Sequence, residues 1–211
     1  MKIGIIGSGN MGSGLGRAWA ARGHQVFFSF ARDTQALEAL AQSAGPNARV
    51  GTPLEAAQFG EVVLLTVPWG ALATALQAAG PLDGKTLISC VNSLKSDLSG
   101  LEVGTTTSAA EEVAKLAPGA RVVESLFSFA RQVQSGSLRF GSQQSTVYYC
   151  GDDPAAKAVV AGLIAELDAE PVDAGPLMSA RYLEPASMLM VQLGYKQGLG
   201  DKIAIKLLRR Q

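Results

Sequence analysis

Apolar residues recur along this chain in short runs separated by stretches of helical periodicity. Ile3 to Ile6 is a β-branched run that stops at Gly7, and Met11, Leu15, Ala18 and Trp19 follow at the spacing of a helix that lays one face on a sheet. Gly23-His24 ends that helix. Val26 to Phe30 reads as a second strand, Thr34 to Ser43 as a helix, Arg49 to Gly51 as a short third strand and Glu61 to Val67 as a fourth. Lys85 to Val91 and Arg121 to Glu124 are further strand-like runs. Between them, Ser108 and Glu111 have capping-box spacing and open a helix that Pro118-Gly119 stops. Thr146 to Cys150 and Glu170 to Asp173 flank a helix for which Asp153 is the N-cap and Pro154 the first helical residue. Leu177 to Tyr195 reads as the last long helix. Strands alternating with helices predict an α/β fold with a doubly wound, mostly parallel sheet and extra C-terminal strands. Residues 1–175 form the expected core and residues 176–211 a helical segment packed on it.

Two segments resist the alternation. Val103 to Thr107 is a Gly/Thr-rich loop, and Leu126 to Ser145 is long, polar and without clear periodicity, as functional or mobile loops are. Met188 to Leu193 is apolar almost all round, which calls for burial on most sides, inside one chain or against another. Lys202, Lys206, Arg209 and Arg210 form a basic end, most simply a solvated helix terminus.

Composition narrows the function classes. Lys plus Arg equals Asp plus Glu at 18 each, so no overall field favours nucleic acid or anionic membranes. Cys90 and Cys150 each end an apolar run and read as buried thiols of a reducing compartment, with a disulfide as the alternative. The uncharged stretch Val62 to Leu82 has the length of a membrane span, but Pro68-Trp69-Gly70 divides it into a strand and a helix. The first strand begins at residue 2 and is too short for a signal peptide, so a cytoplasmic protein is expected.

The most informative chemistry lies between the first strand and the first helix, at Gly7-Ser8-Gly9-Asn10-Met11-Gly12. In that position Gly7 permits the tight turn, Gly9 lets backbone approach a pyrophosphate, and Gly12 lets helix and strand pack closely. The orphan N–H groups of the helix starting near Asn10 face the anion. The second strand ends in Phe28-Ser29-Phe30-Ala31-Arg32, with no acid before Asp33. A carboxylate there would repel a 2′-phosphate, whereas Ser29 could donate a hydrogen bond and Arg32 a charge-assisted one, which points to NADP(H). Alternatively Arg32 is simply solvated at a helix start; Asp33 is read as the cap of that helix rather than as a ribose ligand.

The nicotinamide half should border the ends of the next strands, Thr66-Val67-Pro68-Trp69 and Asn92. Trp69 could form an apolar wall or pack in a core, and Asn92 could bond ribose or carboxamide or form a turn. His24, the only histidine, sits on the loop before the second strand, toward the adenosine half, and is read as structural. One histidine allows no Ser-His-acid set, Cys-His pair or metal cluster, so no catalytic acid–base residue and no metal are expected. Positioning two reactants for hydride transfer needs neither. If a proton donor is required, Ser93 and Ser128 are the nearest hydroxyls.

These residues resemble the NADPH-dependent reductases of the deazaflavin coenzyme F-420 and their bacterial relatives. The similarity runs nearly end to end. It includes the glycine loop, Gly23-His24, Val67-Pro68-Trp69, the segment Asn92 to Gly100, Ser108 to Glu111 and Cys150 to Asp153. Val172 to Leu177, Arg181 to Pro185 and Gly198-Leu199-Gly200 complete it. The resemblance implies a Rossmann-like core with an extended sheet, a homodimer, and NADP(H) on the glycine loop. A small-molecule acceptor, F-420 or a flavin, would lie over the nicotinamide near Ser93, Phe127, Ser128 and Leu199. The chain departs from the family in two places. Relatives often carry Gly-Ser-Arg after the second strand, where only Arg32 is recovered here, one place later. They commonly place a histidine or asparagine after the sixth strand, where this chain has Glu124-Ser125-Leu126-Phe127-Ser128-Phe129. Phe127 and Phe129 therefore line an apolar pocket or belong to the core.

The expected function is an NADP(H)-dependent oxidoreductase that moves hydride between nicotinamide and a deazaflavin or flavin-like acceptor. The alternatives are reduction of a small imine or carbonyl compound, as in pyrroline carboxylate reductases, and a non-catalytic NADP(H)-binding redox sensor.

Overall fold

The computed structural model describes every residue except Arg32, Ser128 and Gln211. Six parallel strands form the core of the sheet: β1 (Lys2–Ile6), β2 (Gln25–Ser29), β3 (Ala48–Val50), β4 (Val62–Leu65), β5 (Thr86–Ser89) and β6 (Arg121–Ser125). A two-stranded hairpin, β7 (Arg139–Phe140) and β8 (Gln143–Gln144), stands apart from it. β9 (Thr146–Gly151) then joins β6 antiparallel, and β10 (Glu170–Asp173) lies parallel to β9. The order across the eight strands is β3-β2-β1-β4-β5-β6-β9-β10. The order 3-2-1-4-5-6 reverses at β1, and a ligand belongs in the crevice beyond the carboxyl ends of β1 and β4.

Both faces of the central strands are buried, as parallel strands under helices must be. Ile3 and Ile5 pack with α1 (Asn10–Ala20), α2 (Thr34–Ala44) and α7 (Pro154–Ala165) through Leu15, Trp19, Leu37 and Leu163. Val63 and Leu65 pack on the other face with α3 (Pro53–Phe59), α4 (Leu72–Ala79), α5 (Ala109–Leu116) and α8 (Ala180–Val191) through Leu72, Leu76, Val113 and Leu183. Trp19 is fully buried, and its indole N–H donates to the Leu163 carbonyl at 3.1 Å, tying α1 to α7 without an orphan donor. Helix starts follow local chemistry. Asp33 accepts from the N–H groups of Gln35 and Ala36, Asp153 from Ala156, and Ser108 from Glu111. A full capping box joins Thr52 and Glu55 at α3.

Two expectations need correction. The segment 126–145 is not a structureless loop: it holds α6 (Ala130–Gln134), which packs along α1, and the β7–β8 hairpin. The apolar run Met188 to Leu193 is, as expected, buried on most sides within the chain, with one residue left open. Met188, Met190 and Val191 are buried while Leu189 is 58% exposed. The basic end is not a helix terminus, because regular structure ends with a π-helical turn, Gln192–Lys196. Beyond it the chain runs without regular structure along β9. Thr146 N–H donates to the Ile205 carbonyl, Leu207 N–H to Thr146 Oγ1, and Lys206 pairs with Glu170. The two cysteines are unlinked, and no helix among the described residues is long and apolar enough to cross a membrane.

Candidate functional site

The glycine loop closes on itself and leaves one side open. Gly7 has φ +107°, and its N–H donates to the Ser29 carbonyl at 3.1 Å. Thr66 Oγ1 donates to the Gly7 carbonyl at 2.5 Å, and Ser8 Oγ to the Ser29 carbonyl at 2.9 Å. A Cβ on Gly12 would collide with the Gly7 carbonyl and Thr66, whereas nothing lies within 4 Å of the position a Cβ on Gly9 would take. Gly12 is thus required by the loop itself, whereas the fold leaves the Gly9 position open. α1 begins at Asn10 with no side-chain cap and no acid in its first turn. Its free N–H groups and positive dipole end face the same space, a fit for a pyrophosphate.

A cleft of about 550 Å³ opens there, lined by Gly7, Ser8, Gly9, Phe30, Thr66 and Val67 among others. Phe30 has φ +55°, rare outside glycine, and this turn sends the chain off β2 so that Phe30 and Ala31 line the cleft. A second hollow of about 650 Å³ continues past Phe30 toward Val50 and Thr52, the direction of an adenosine in this sheet order. Ser29 does not reach either space. It is fully buried, and its hydroxyl donates to the Ile5 carbonyl at 2.7 Å, because its position on β2 turns it into the sheet. Its assignment to the 2′-phosphate is therefore withdrawn; Ser29 supports the loop through its carbonyl instead. Arg32 lies outside the described residues. Asp33 caps α2 through Oδ1, which accepts from the N–H groups of Gln35 and Ala36, and the residue also lines the cleft.

On the nicotinamide side, Thr66 is half-buried, Val67 buried and Pro68 exposed, and Trp69 packs in part on the apolar core. Asn92 is the informative residue here. Both its amide atoms are shut off from solvent, and neither Oδ1 nor Nδ2 has a hydrogen-bond partner among the described residues. An unpaired buried amide is costly, so Asn92 calls for a partner from outside these residues. The neighbouring Ser93 is fully buried with its hydroxyl donated to the Val103 carbonyl at 2.8 Å, so it offers no proton to a ligand.

A separate cavity of about 440 Å³ lies on the other side of the loop, between Asn10, Phe129, Arg131, Gln134, Tyr195 and Asp201. Phe129 and Tyr195 meet edge to face with centroids 5.8 Å apart. Tyr195 belongs to the π-helical turn, a geometry that often marks functional positions. A Cβ on Gly194 would come within 2.8 Å of the Phe129 ring, so only glycine lets that turn seat against it. Phe127 packs in the buried core with Val133 and Leu138 rather than on this cavity. Leu199 is more than half exposed beside Gly200, which does line it. Ser128 lies outside the described residues. His24 is nearly buried, with Nε2 2.8 Å from Glu166 Oε2, far from either cavity's lining.

Residues 2–93 match the family model described as "NADP oxidoreductase coenzyme F420-dependent". The match covers the N-terminal part of the chain, β1 to the end of β5. A solved protein from Arthrobacter sp. FB24 with a provisional F420-dependent NADP-reductase name is 28% identical, with a TM-score of 0.86, over 99% of this chain and all of its own. A protein of unassigned function from Sinorhizobium meliloti shares the fold at 23% identity and TM-score 0.77, over all of this chain and 96% of its own. A reductive aminase from Aspergillus terreus, solved with NADPH, shares the fold at 22% identity and TM-score 0.67. That likeness covers 93% of this chain but only 62% of the aminase.

The family resemblance gave no hint of a buried acid layer beneath the site. Glu124 on β6 is almost wholly buried with Oε2 unpartnered; burial, and then the charge of Glu184, pushes its pKa well up. Glu184 on α8 accepts from the N–H groups of Ala109 and Ala110 at 2.9 and 3.1 Å, capping α5 from a distant part of the chain. Burial raises its pKa to about 7 against those two bonds. The signal was a carboxylate inside the run Val122-Val123-Glu124-Ser125-Leu126. The thiols face the same layer: burial raises Cys90 well up and Cys150 to about 12, which leaves both protonated and unreactive.

Proposed function

We propose that this protein is an NADP(H)-dependent oxidoreductase that transfers hydride between the nicotinamide and a deazaflavin or flavin-like acceptor. The observation that carries the reading is the placement of two cavities on one loop. Gly7 to Gly9 line one and Asn10 the other, with the uncapped start of α1 between them. Gly9 and the first turn of α1 hold the pyrophosphate, Phe30 borders the adenosine, and the Asn92 amide bonds the nicotinamide half. Arg32 carries the 2′-phosphate preference, a reading supported by the match to the NADP oxidoreductase family model. When bound, the dihydronicotinamide supplies a hydride, and the acceptor takes it with one proton from solvent. The chain's part is to hold the two rings together and to keep water from between them.

Mixing the protein with NADPH and a panel of F-420, flavins and cyclic imines tests this. Loss of the reduced-nicotinamide absorbance with F-420 or a flavin is the expected result. Loss with imines alone overturns it in favour of imine reduction, and tight NADPH binding with no oxidation by any acceptor overturns it in favour of a redox sensor.

We also propose a homodimer built on α8, supported by the exposed apolar side chains of Tyr182 and Leu189 on it and of Met178 in the turn that precedes it. Light scattering at micromolar concentration is expected to give twice the chain mass; a monomer would contradict it.

A further inference from the structure

Between Asn92 and Ser108 the chain leaves the sheet and returns as a narrow finger. Leu94 bridges Leu101, Lys95 N–H donates to the Gly100 carbonyl, and Glu102 N–H donates to the Ser93 carbonyl at its base. At the tip Leu98 has φ +56°, a left-handed conformation that leucine keeps only where its surroundings hold it. What holds it is the segment that continues α8. Gln192, in the π-helical turn, donates from Nε2 to the Leu98 carbonyl at 3.1 Å. Among the described residues no other hydrogen bond joins residues 94–101 to a different element. α8 also grips the end of the finger that returns to the core. Ser108 closes it as the N-cap of α5, and the first turn of α5 is held from α8 twice. Glu184 accepts from the N–H groups of Ala109 and Ala110, and Arg181 forms a bidentate pair with Glu111. Arg181, Glu184 and Gln192 fall on one face of that helix and its continuation. The same turn seats Gly194 and Tyr195 against Phe129. One continuous element therefore touches both the finger rooted at Asn92 and the aromatic cavity.

We infer that Gln192 and Glu184 are positioning residues for the nicotinamide end of the site: they splint the finger to α8 and so fix Asn92, at its root, relative to Tyr195. The inference rests on the hydride-transfer reading above. Neither residue reaches a reacting ring. The Asn92 amide has no hydrogen-bond partner among the described residues, so its place is set by its backbone and packing, and it follows any drift of the finger. Transfer between two rings is sensitive to such drift, because a displacement of about 1 Å can cost about a hundredfold in rate. The splint holds both supports on one element, so that they move together or not at all.

NADPH and 2′-phospho-ADP-ribose, which lacks the nicotinamide, isolate that end of the site. Calorimetric titration of both gives the nicotinamide's share of the affinity without turnover, and kcat is then read with the best acceptor of the panel above. In Gln192→Ala and in Glu184→Gln the ratio of the two affinities should fall about fivefold, the size of one net hydrogen bond. Binding of 2′-phospho-ADP-ribose should stay within about twofold, because the glycine loop is untouched. At saturating NADPH, kcat should fall about tenfold or more. Gln192→Lys, which can still donate to the Leu98 carbonyl, should recover most of the loss. Ile164→Val, a buried change on α7, supplies a loss of melting temperature without touching the finger and should leave ratio and kcat unchanged. An unchanged affinity ratio in both splint variants overturns the inference, as does an unchanged kcat, or a fall that Ile164→Val matches. Equal affinity for the two ligands in the unmodified protein overturns it as well. If the unmodified protein oxidises NADPH with no acceptor, the hydride-transfer reading fails, and the affinity ratio alone decides the splint.

Discussion

Ser29 donates its hydroxyl to the Ile5 carbonyl at 2.7 Å, within the sheet and away from the cleft. The residue that ends β2 therefore braces the glycine loop rather than reading the cofactor. Ser29→Ala should lower folding stability by about 1 kcal/mol, the net worth of a buried hydrogen bond. It should leave the ratio of NADPH to NADH affinity unchanged, as measured by calorimetric titration of both. A selective loss of NADPH affinity would restore Ser29 as a phosphate ligand.

Gly9 separates fold from function in the same loop. Its Cβ position is open and its φ of −72° suits any residue, so Gly9→Ala should change stability by less than about 1 kcal/mol. A methyl group in the pyrophosphate's path should nevertheless weaken NADPH binding by about tenfold or more, about 1.4 kcal/mol. Gly12→Ala, which collides with the Gly7 carbonyl, should lose stability as well as binding. Equal NADPH affinity in Gly9→Ala and the unmodified protein would remove the pyrophosphate from this loop.

The orphan amide of Asn92 gives a prediction with opposite signs. Asn92→Ala removes polar atoms that have no partner, so the melting temperature of the free protein should hold or rise. Cofactor affinity or kcat/KM should fall about tenfold, because the ligand loses its hydrogen bond. A variant that is destabilised but fully active would mean that Asn92 serves the fold.

Much of this was legible from local chemistry. Asp33, Ser108 and Asp153 announce their helices by capping, and a short, β-branched apolar run such as Val62 to Leu65, stopped at Pro68, reads as a strand buried on both faces. What escaped depends on contacts between distant residues. α6 has five residues, too few for periodicity to show, and is held by α1 and by Gln132 Nε2 donating to the Ile203 carbonyl. The direction of β9 depends on its pairing with β6 and leaves no mark on Thr146 to Gly151. The inward turn of Ser29 follows from its strand register, and the turn at Phe30 from a backbone angle, neither of which the sequence displays.

The buried acids tie stability to pH. Glu184 titrates near 7 in the folded chain, above its ordinary value near 4.5 when unfolded. Between those values the folded state holds more protons than the unfolded one. Stability is therefore greatest below about pH 4.5 as far as this group is concerned and falls as pH rises through about 7, by roughly 3 kcal/mol at most. Glu124, also raised, acts in the same direction. Melting temperatures measured from pH 5 to pH 8 should fall in the native chain and fall less in Glu184→Gln. Parallel curves for the two proteins would contradict the assignment. The bidentate pair of Arg181 with Glu111, 2.8 and 2.7 Å, stays charged across this range and does not supply the slope.

Hydride transfer itself can be followed directly. NADPH carrying deuterium on the transferable side of the nicotinamide C4 is oxidised by the protein with F-420 as acceptor, whose reacting position is a carbon that keeps the label. The reduced deazaflavin, examined by mass spectrometry, should carry one deuterium per NADPH consumed. Oxidation of NADPH with unlabelled deazaflavin as the product would contradict direct transfer between the two rings across the glycine loop.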